Sequence, residues 1–290
     1  MNHSTHSTAT IPAQLLSLYG LKWNPFASGV PVEGLYCSPR LDAFGRRAEM
    51  YLREGGFAML TGAPGQGKSW ALRIIDARLS RMRDVVVRSI EHPQSGVSDF
   101  YREIGDLFGV PLTPRNRWGG FKAIREKWHA HVEATLIRPV LVIDEAQEMA
   151  TVVLNEMRLL SSRDYDSRTL LFVILAGDAR LREKLKSEDL LPLKSRIRTH
   201  LELEAASPSE LSDVLRHVVS AAGNAQLMTP AVITALAEHS AGNYRTLTGM
   251  AHELLIAAAE RDARQIDEKL FFEIFALPQE QPPAQKGKRR

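Results

Sequence analysis

Residues 62–69 read Gly62-Ala63-Pro64-Gly65-Gln66-Gly67-Lys68-Ser69 and constrain the fold more than any other stretch of the chain. Glycines at this spacing let the backbone curl until successive N–H groups point into one anion-sized hollow. Lys68 then places a point charge on the outer phosphates of a bound triphosphate, and Ser69 offers its hydroxyl to Mg²⁺. The flanks agree with that reading. Gly56-Phe57-Ala58-Met59-Leu60-Thr61 is a short buried-strand run, and Trp70-Ala71-Leu72-Arg73-Ile74-Ile75 continues as a helix. The positive N-terminal end of that helix adds to the anion site. A glycine turn followed by a chance Lys-Ser requires neither flank. The expected nucleotide contacts therefore run from Gly62 through Ser69 to Trp70.

A second element answers the first. In Arg138-Pro139-Val140-Leu141-Val142-Ile143-Asp144-Glu145-Ala146-Gln147, four apolar residues end in two carboxylates. This reads as a buried parallel strand with acids at its C-terminal edge, where open α/β sheets bind ligands. Asp144 is placed to hold Mg²⁺, as in the Walker B arrangement, and Glu145 to take a proton from an attacking water. The bland alternative is a strand-to-helix cap built on Asp. No Asn-Lys-x-Asp guanine-reading motif occurs, so ATP rather than GTP is expected.

Composition bounds the rest. The chain has 290 residues, 44% hydrophobic and 24% charged, enough for one large and one small domain. Its net charge is +3 and its pI about 9.0. Cys37 stands alone, which excludes an internal disulfide and fits a reducing compartment. Residues 1–10 are polar, unlike a signal peptide, and the longest apolar run, Leu170 to Ala176, is too short for a bilayer. The expectation is a cytoplasmic protein with no membrane partner.

Strands are expected at 56–61, 84–90, 138–143, 169–175 and 199–203, with helices at 41–54, 97–108, 119–135 and 150–162 between them. That alternation means a parallel sheet covered on both faces. After Glu204 only helices remain. Ser207-Pro208-Ser209-Glu210 is a capping box, and Thr229-Pro230 opens the next helix in the same manner. The expected domains are a disordered polar tail over 1–17, an α/β core with its N-terminal linker over 18–205, a helical lid over 206–277, and a basic disordered tail over 278–290.

Several motifs together resemble AAA+ ATPases, and more narrowly the ExeA-like group that includes the transposition ATPases of the TniB/TnsC and MuB kind. They are Tyr19-Gly20-Leu21-Lys22-Trp23-Asn24-Pro25-Phe26, the phosphate loop, Val142-Ile143-Asp144-Glu145-Ala146-Gln147, and Glu156-Met157-Arg158-Leu159-Leu160. Leu175-Ala176-Gly177-Asp178-Ala179-Arg180-Leu181, Ser195-Arg196-Ile197 and Ala241-Gly242-Asn243-Tyr244-Arg245 complete the set. The resemblance covers residues 18–277. It implies a P-loop NTPase of the AAA+ type, with a five-stranded parallel sheet and a small C-terminal all-helical lid.

The same resemblance gives Arg196 the part of an arginine finger acting on a neighbouring subunit, and Arg245 that of a sensor on the lid. Asp178 stands where many relatives carry a glutamine, and is the polar sensor candidate. Arg115, Arg117, Lys122 and Arg125 form a basic cluster suited to phosphate-backbone contacts. A solvated helix face, with Glu126 as an ion-pair partner, is the plainer reading of that cluster.

The implied function is an ATPase, with ATP and Mg²⁺, that oligomerises as a ring or filament on double-stranded DNA. It would recruit a transposase, with or without a target selector. The rivals are an ExeA-type ATPase of secretion or envelope assembly, and a nucleotide-gated protein adaptor with little turnover.

Overall fold

The computed structural model describes residues 11–90, 92–110, 117–134, 138–163 and 168–275. The chain divides into two compact units, Leu35–Ala205 and a second made of residues up to Gly34 together with those from Ala206 onward.

The first unit opens with helix α2 (Pro39–Tyr51), numbered after α1 (Ile11–Tyr19) of the other unit. Ser38 caps α2, its hydroxyl accepting from the Leu41 amide at 3.3 Å, and Pro39 supplies a preset φ at the first helical position. Five parallel strands follow: β1 (Gly56–Gly62), β2 (Val85–Ile90), β3 (Arg138–Ile143), β4 (Phe172–Gly177) and β5 (Ile197–Leu203). They lie in the order β2-β3-β4-β1-β5, as the five-stranded parallel reading requires. Successive side chains of a strand point to opposite faces, and the core splits accordingly. Phe57, Met59, Leu141, Ile143, Val173 and Leu175 face one apolar cluster, while Ala58, Leu60, Val140, Val142, Ile174 and Ala176 face the other. Burial on both faces explains why these strands read as continuous apolar runs.

Helix α3 (Lys68–Ser80) packs with α2 on one face. Arg78 fixes the pair through Glu49 (2.6 Å) and Asp42 (2.7 Å). The other face carries α4 (Val97–Phe108), α5 (Arg117–Ala134) and α6 (Thr151–Ser161). Gly109, at φ 62°, ends α4 in the left-handed conformation that glycine adopts without steric cost. Trp128 of α5 is buried edge-on against Phe108, with ring centroids 5.1 Å apart, a pair worth about 1 kcal/mol beyond its buried area.

One expected strand is displaced. The apolar run predicts a strand over 169–175, yet β4 begins at Phe172 and continues to Gly177. Arg168–Thr169 pairs antiparallel with Ser162–Arg163, drawing the first residues away, and Leu170 and Leu171 are buried outside the ladder. Two short helices absent from the sequence reading, α7 (Ala179–Lys184) and α8 (Leu191–Lys194), connect β4 to β5.

The second unit holds α9 (Pro208–Ala221), α10 (Pro230–His239), α11 (Tyr244–Glu260) and α12 (Glu268–Phe275). Ser207 and Glu210 form the full reciprocal capping box, and Thr229 caps α10. The expectation of a disordered tail over 1–17 is corrected for 11–17. Those residues belong to α1, which contacts α11 and buries Leu15 and Tyr19. Residues 18–34, expected to be the core's linker, also belong to this helical unit. The Lys22 amide donates to Ala222 O at 2.8 Å, Asn224 Nδ2 to Tyr19 O at 2.9 Å, and Asn24 meets His252 at 3.2 Å. The basic tail over 278–290 lies outside the described residues.

Candidate functional site

The phosphate loop leaves the C-terminal end of β1 and turns directly into α3. Gly65 (φ 82°) and Gly67 (φ 86°) occupy conformations closed to most L side chains. At Gly62 an added Cβ would lie 2.9 Å from Leu203 Cβ on β5, so glycine there serves packing. Gln66 Oε1 accepts the Ala63 amide at 2.6 Å and holds the loop's first turn. Gly67 is the N-cap of α3 and no side chain caps that helix start, which leaves the positive helix end for an anion. Lys68 is buried, its ammonium donating to Gly62 O (2.9 Å) and Ala63 O (3.3 Å). An ammonium has three donors, so one is left for a phosphate oxygen.

At the end of β3, Asp144 Oδ1 accepts the Glu145 amide at 2.9 Å. Burial, reinforced by the charge of Glu145, pushes the Asp144 carboxyl up from the ordinary carboxylate range; the Glu145 amide and Lys68 nearby oppose the shift. A cation beside Asp144 would relieve it. Glu145 sits at φ 51° and ψ 38°, a left-handed conformation uncommon for a residue with a side chain. Its carboxylate is exposed.

Gln147 is the residue that motif reading passed over. It is buried, its Nε2 donates to Glu145 Oε2, and its Oε1 accepts the Asp178 amide at 3.2 Å. Gly177 precedes that amide, and a Cβ there would clash with Gln147 Oε1. Lys184 Nζ donates to the backbone oxygens of Gln147 and Met149, which fixes the segment from below. The amide thus spans the ends of two adjacent strands and orients the acid expected to act as base.

Asp178 caps α7, accepting the Arg180 amide at 2.8 Å and Arg180 Nε at 2.9 Å. Arg180 also pairs with Glu148 at 2.9 Å. The guanidinium beside Asp178 holds its carboxyl below the usual range. The sensor candidate therefore lies next to Gln147 but is engaged in a cap and an ion pair. Arg196 lies between α8 and β5, at the N-terminal edge of the sheet, donating to Pro192 O; its own backbone oxygen accepts the Phe57 amide at 3.1 Å. The phosphate loop is at the opposite edge, about 20 Å away along β1 at the rise of an extended strand. Within one subunit Arg196 cannot reach it. Arg245 belongs to the helical unit and is exposed in the first turn of α11, which Asn243 caps.

Of the four basic candidates, Arg115 lies outside the described residues, and so does the side chain of Arg117. Lys122 is exposed and 3.7 Å from Glu126, the solvated-face pairing. Arg125 donates to Ser162 O at 2.7 Å and lies over the Phe121 ring, so it is used inside the unit.

An oligophosphate fits the loop by three observations: the glycine backbone, the uncapped helix start, and a buried ammonium. Among the described residues no group of three or more His, Cys, Asp or Glu is placed to hold a metal alone. Mg²⁺ here would take Ser69, exposed in the first turn of α3, and Asp144, with phosphate oxygens and water completing its shell.

A family model described as an AAA domain matches residues 51–185. The chain is 29% identical over 253 residues to general secretion pathway protein A of Aeromonas hydrophila, an overlap covering 86% of this chain and 45% of that relative. It spans less than half the length of that relative. Among solved structures, the ORC2 protein of Aeropyrum pernix in its ADP form superposes with a TM-score of 0.68 at 17% identity, covering 86% of this chain and 70% of the other. The ORC1 protein of the same organism in complex with DNA gives 0.60 at 15% identity, covering 86% and 67%. No helix among the described residues is long and apolar enough to cross a membrane. The fold is that of a P-loop NTPase with a helical C-terminal part, and together with the AAA-domain match over residues 51–185 it supports ATPase activity.

Proposed function

We propose that this chain hydrolyses ATP at an interface between copies of itself and acts as a nucleotide-gated assembly on duplex DNA. The carrying observation is the split between the two edges of the sheet. Lys68, Ser69, Asp144 and Glu145 converge at one edge, while Arg196 sits at the other. A finger so placed serves a second subunit.

In this reading the phosphate-loop backbone and Lys68 hold the β- and γ-phosphates. Bound Mg²⁺ supplies neutralising charge to the phosphate oxygens. Glu145 takes one proton from a water whose oxygen bonds the γ-phosphorus as the bridging oxygen leaves with ADP. Arg196 of a neighbouring copy neutralises charge that develops in transit. ATP turnover that rises more steeply than linearly with protein concentration tests the interface; strict proportionality overturns it.

The finer role, licensing a transposase as the TniB/TnsC and MuB kind do, rests on motif resemblance. The likeness to a DNA-bound ORC1 fits the DNA component. A second reading, an ATPase serving secretion or envelope assembly, is favoured by the relative from Aeromonas hydrophila and is supported at least as well. Turnover stimulated by duplex DNA favours the first. Indifference to DNA favours the second, and negligible turnover under both conditions favours the nucleotide-gated adaptor.

A further inference from the structure

The phosphate loop begins at Gly62, the last residue of β1, and Thr61 precedes it. β1 lies between β4 and β5 and is buried along its whole length. Thr61 is 2% exposed. Its hydroxyl meets His200 Nε2 on β5 at 2.8 Å, and His200 is the partner that hydroxyl has among the described residues. A buried hydroxyl needs such a partner. His200 itself is exposed, so the bond joins a solvent-facing ring to the root of the nucleotide loop.

The bond is diagonal. In the ladder between β1 and β5, Met59 stands opposite His200, Thr61 opposite Glu202 and Gly62 opposite Leu203. At the other end of that ladder the register shifts between Phe57 and Ala58, and Arg198 is passed over. A slip of one residue would carry the later side chains of β5 to the wrong face. The bond from His200 to Thr61 ties the two strands at the loop end, across positions that are not direct partners, and so opposes sliding. Register matters most at Gly62, where an added Cβ would lie 2.9 Å from Leu203 Cβ. Gly62 O in turn receives the Lys68 ammonium at 2.9 Å. Beside the ring, Arg182 of α7 pairs with Glu202 at 2.7 Å. Burial of its bonded side lowers the His200 pKa from the ordinary imidazole value; Glu202 opposes the shift and Arg182 adds to it. The ring is therefore neutral at pH 7, and in either tautomer Nε2 satisfies the hydroxyl, as acceptor or as donor.

We infer that His200 is a positioning residue for the phosphate loop, holding Gly62 and through it Lys68 by way of the Thr61 hydroxyl. The inference rests on the nucleotide binding at that loop proposed above. Backbone hydrogen bonds already join β1 to a strand on each side, so the sheet forms without this side-chain bond. The placement of the loop is what depends on it. Without the bond the end of β1 is no longer tied to β5, and Gly62 O moves relative to the ammonium it holds. The effect falls on nucleotide affinity rather than on proton transfer, because Glu145 follows β3, on the far side of β4 from β1.

The test uses the full chain and a fluorescent ATP analogue. His200→Leu and Thr61→Val should each weaken binding about tenfold, the loss expected when one buried hydrogen bond goes. The double variant should bind no more weakly than the weaker single one, because it removes both ends of the same bond. It also leaves no hydroxyl unsatisfied, so it reports on the loop in a chain whose core is not penalised. His200→Gln, whose amide reaches the place of Nε2, should bind within about twofold of the parent. At saturating ATP, kcat should fall less than about threefold in all four variants. Parent-like affinity in His200→Leu overturns the inference. So does a glutamine variant as weak as the leucine one, which would assign the effect to ring packing. Single losses that multiply in the double variant, or a fall in kcat with unchanged affinity, overturn it too. If the parent itself binds no analogue, the nucleotide reading of the loop fails and this inference with it.

Discussion

Gln147 donates its side-chain amide to Glu145 and accepts the backbone N–H of Asp178 at 3.2 Å, so one buried residue ties the acid after β3 to the end of β4. Glu145 has the left-handed backbone conformation, so its carboxylate direction depends on what holds it.

Gln147→Leu should therefore lower kcat at least about tenfold and leave ATP affinity unchanged, since its hydrogen bonds go to Glu145, Asp178 and Lys184 rather than to the phosphate loop. Gly177→Ala should act in the same direction by displacing the Gln147 oxygen. Gln147→Glu sets a second carboxylate against Glu145 and should move the acid limb of the pH–rate profile upward. An unchanged kcat in the leucine variant, from steady-state ATP titration, excludes the positioning role.

Two substitutions separate binding from chemistry. Lys68→Ala removes the charge on the outer phosphates and should abolish binding of a fluorescent ATP analogue. Glu145→Gln should retain ATP and Mg²⁺ while turnover falls about 10²- to 10⁴-fold, because an amide accepts no proton from water. Parent-like hydrolysis in the glutamine variant would show that Glu145 is not the base.

The buried carboxyl of Asp144 predicts an unequal effect on activity and stability. Its folded pKa is raised, so its protonated form favours the fold at low pH, and that contribution is lost as pH rises through the raised value. Without Mg²⁺, Asp144→Asn should melt above the parent at pH 8, with the gap closing toward pH 4. The same variant should lose Mg²⁺-dependent turnover. A parent that melts higher than the variant at pH 8 contradicts the desolvation argument; differential scanning calorimetry across pH decides it.

Arg196→Ala should cut turnover by about 10³-fold or more while nucleotide still binds. Mixed with Lys68→Ala, it should regain activity, because each variant supplies the half-site the other lacks. Mixtures no more active than their parts would refute action in trans.

The phosphate loop was legible because its chemistry is local: glycines at fixed spacing, then Lys68 and Ser69. The bounds of α4 and the capping box at Ser207 were readable for the same reason. Gln147 was not, since its task exists only because β4 lies beside β3, an order no local pattern reveals. The start of β4 was misplaced because Leu170 and Leu171 are as apolar as the strand itself, though they are buried outside it. Helix α1 is short and held through tertiary contacts, which leave little trace in polar flanking sequence.

The position of β1 bears on how the chain reaches its native state. Both of its hydrogen-bonded partners arrive more than a hundred residues later, Phe172 onward for β4 and Ile197 onward for β5. Closing such loops carries an entropic cost before any long-range pairing compensates it, so the sheet should form slowly and late. Gly62 packs on Leu203, the last residue of the last strand. During synthesis the phosphate loop emerges early yet cannot be fixed until the far end of the α/β unit is made. Recovery of nucleotide binding therefore reports the final step of refolding, and an ATP analogue present from the start would trap finished molecules without speeding the slow phase.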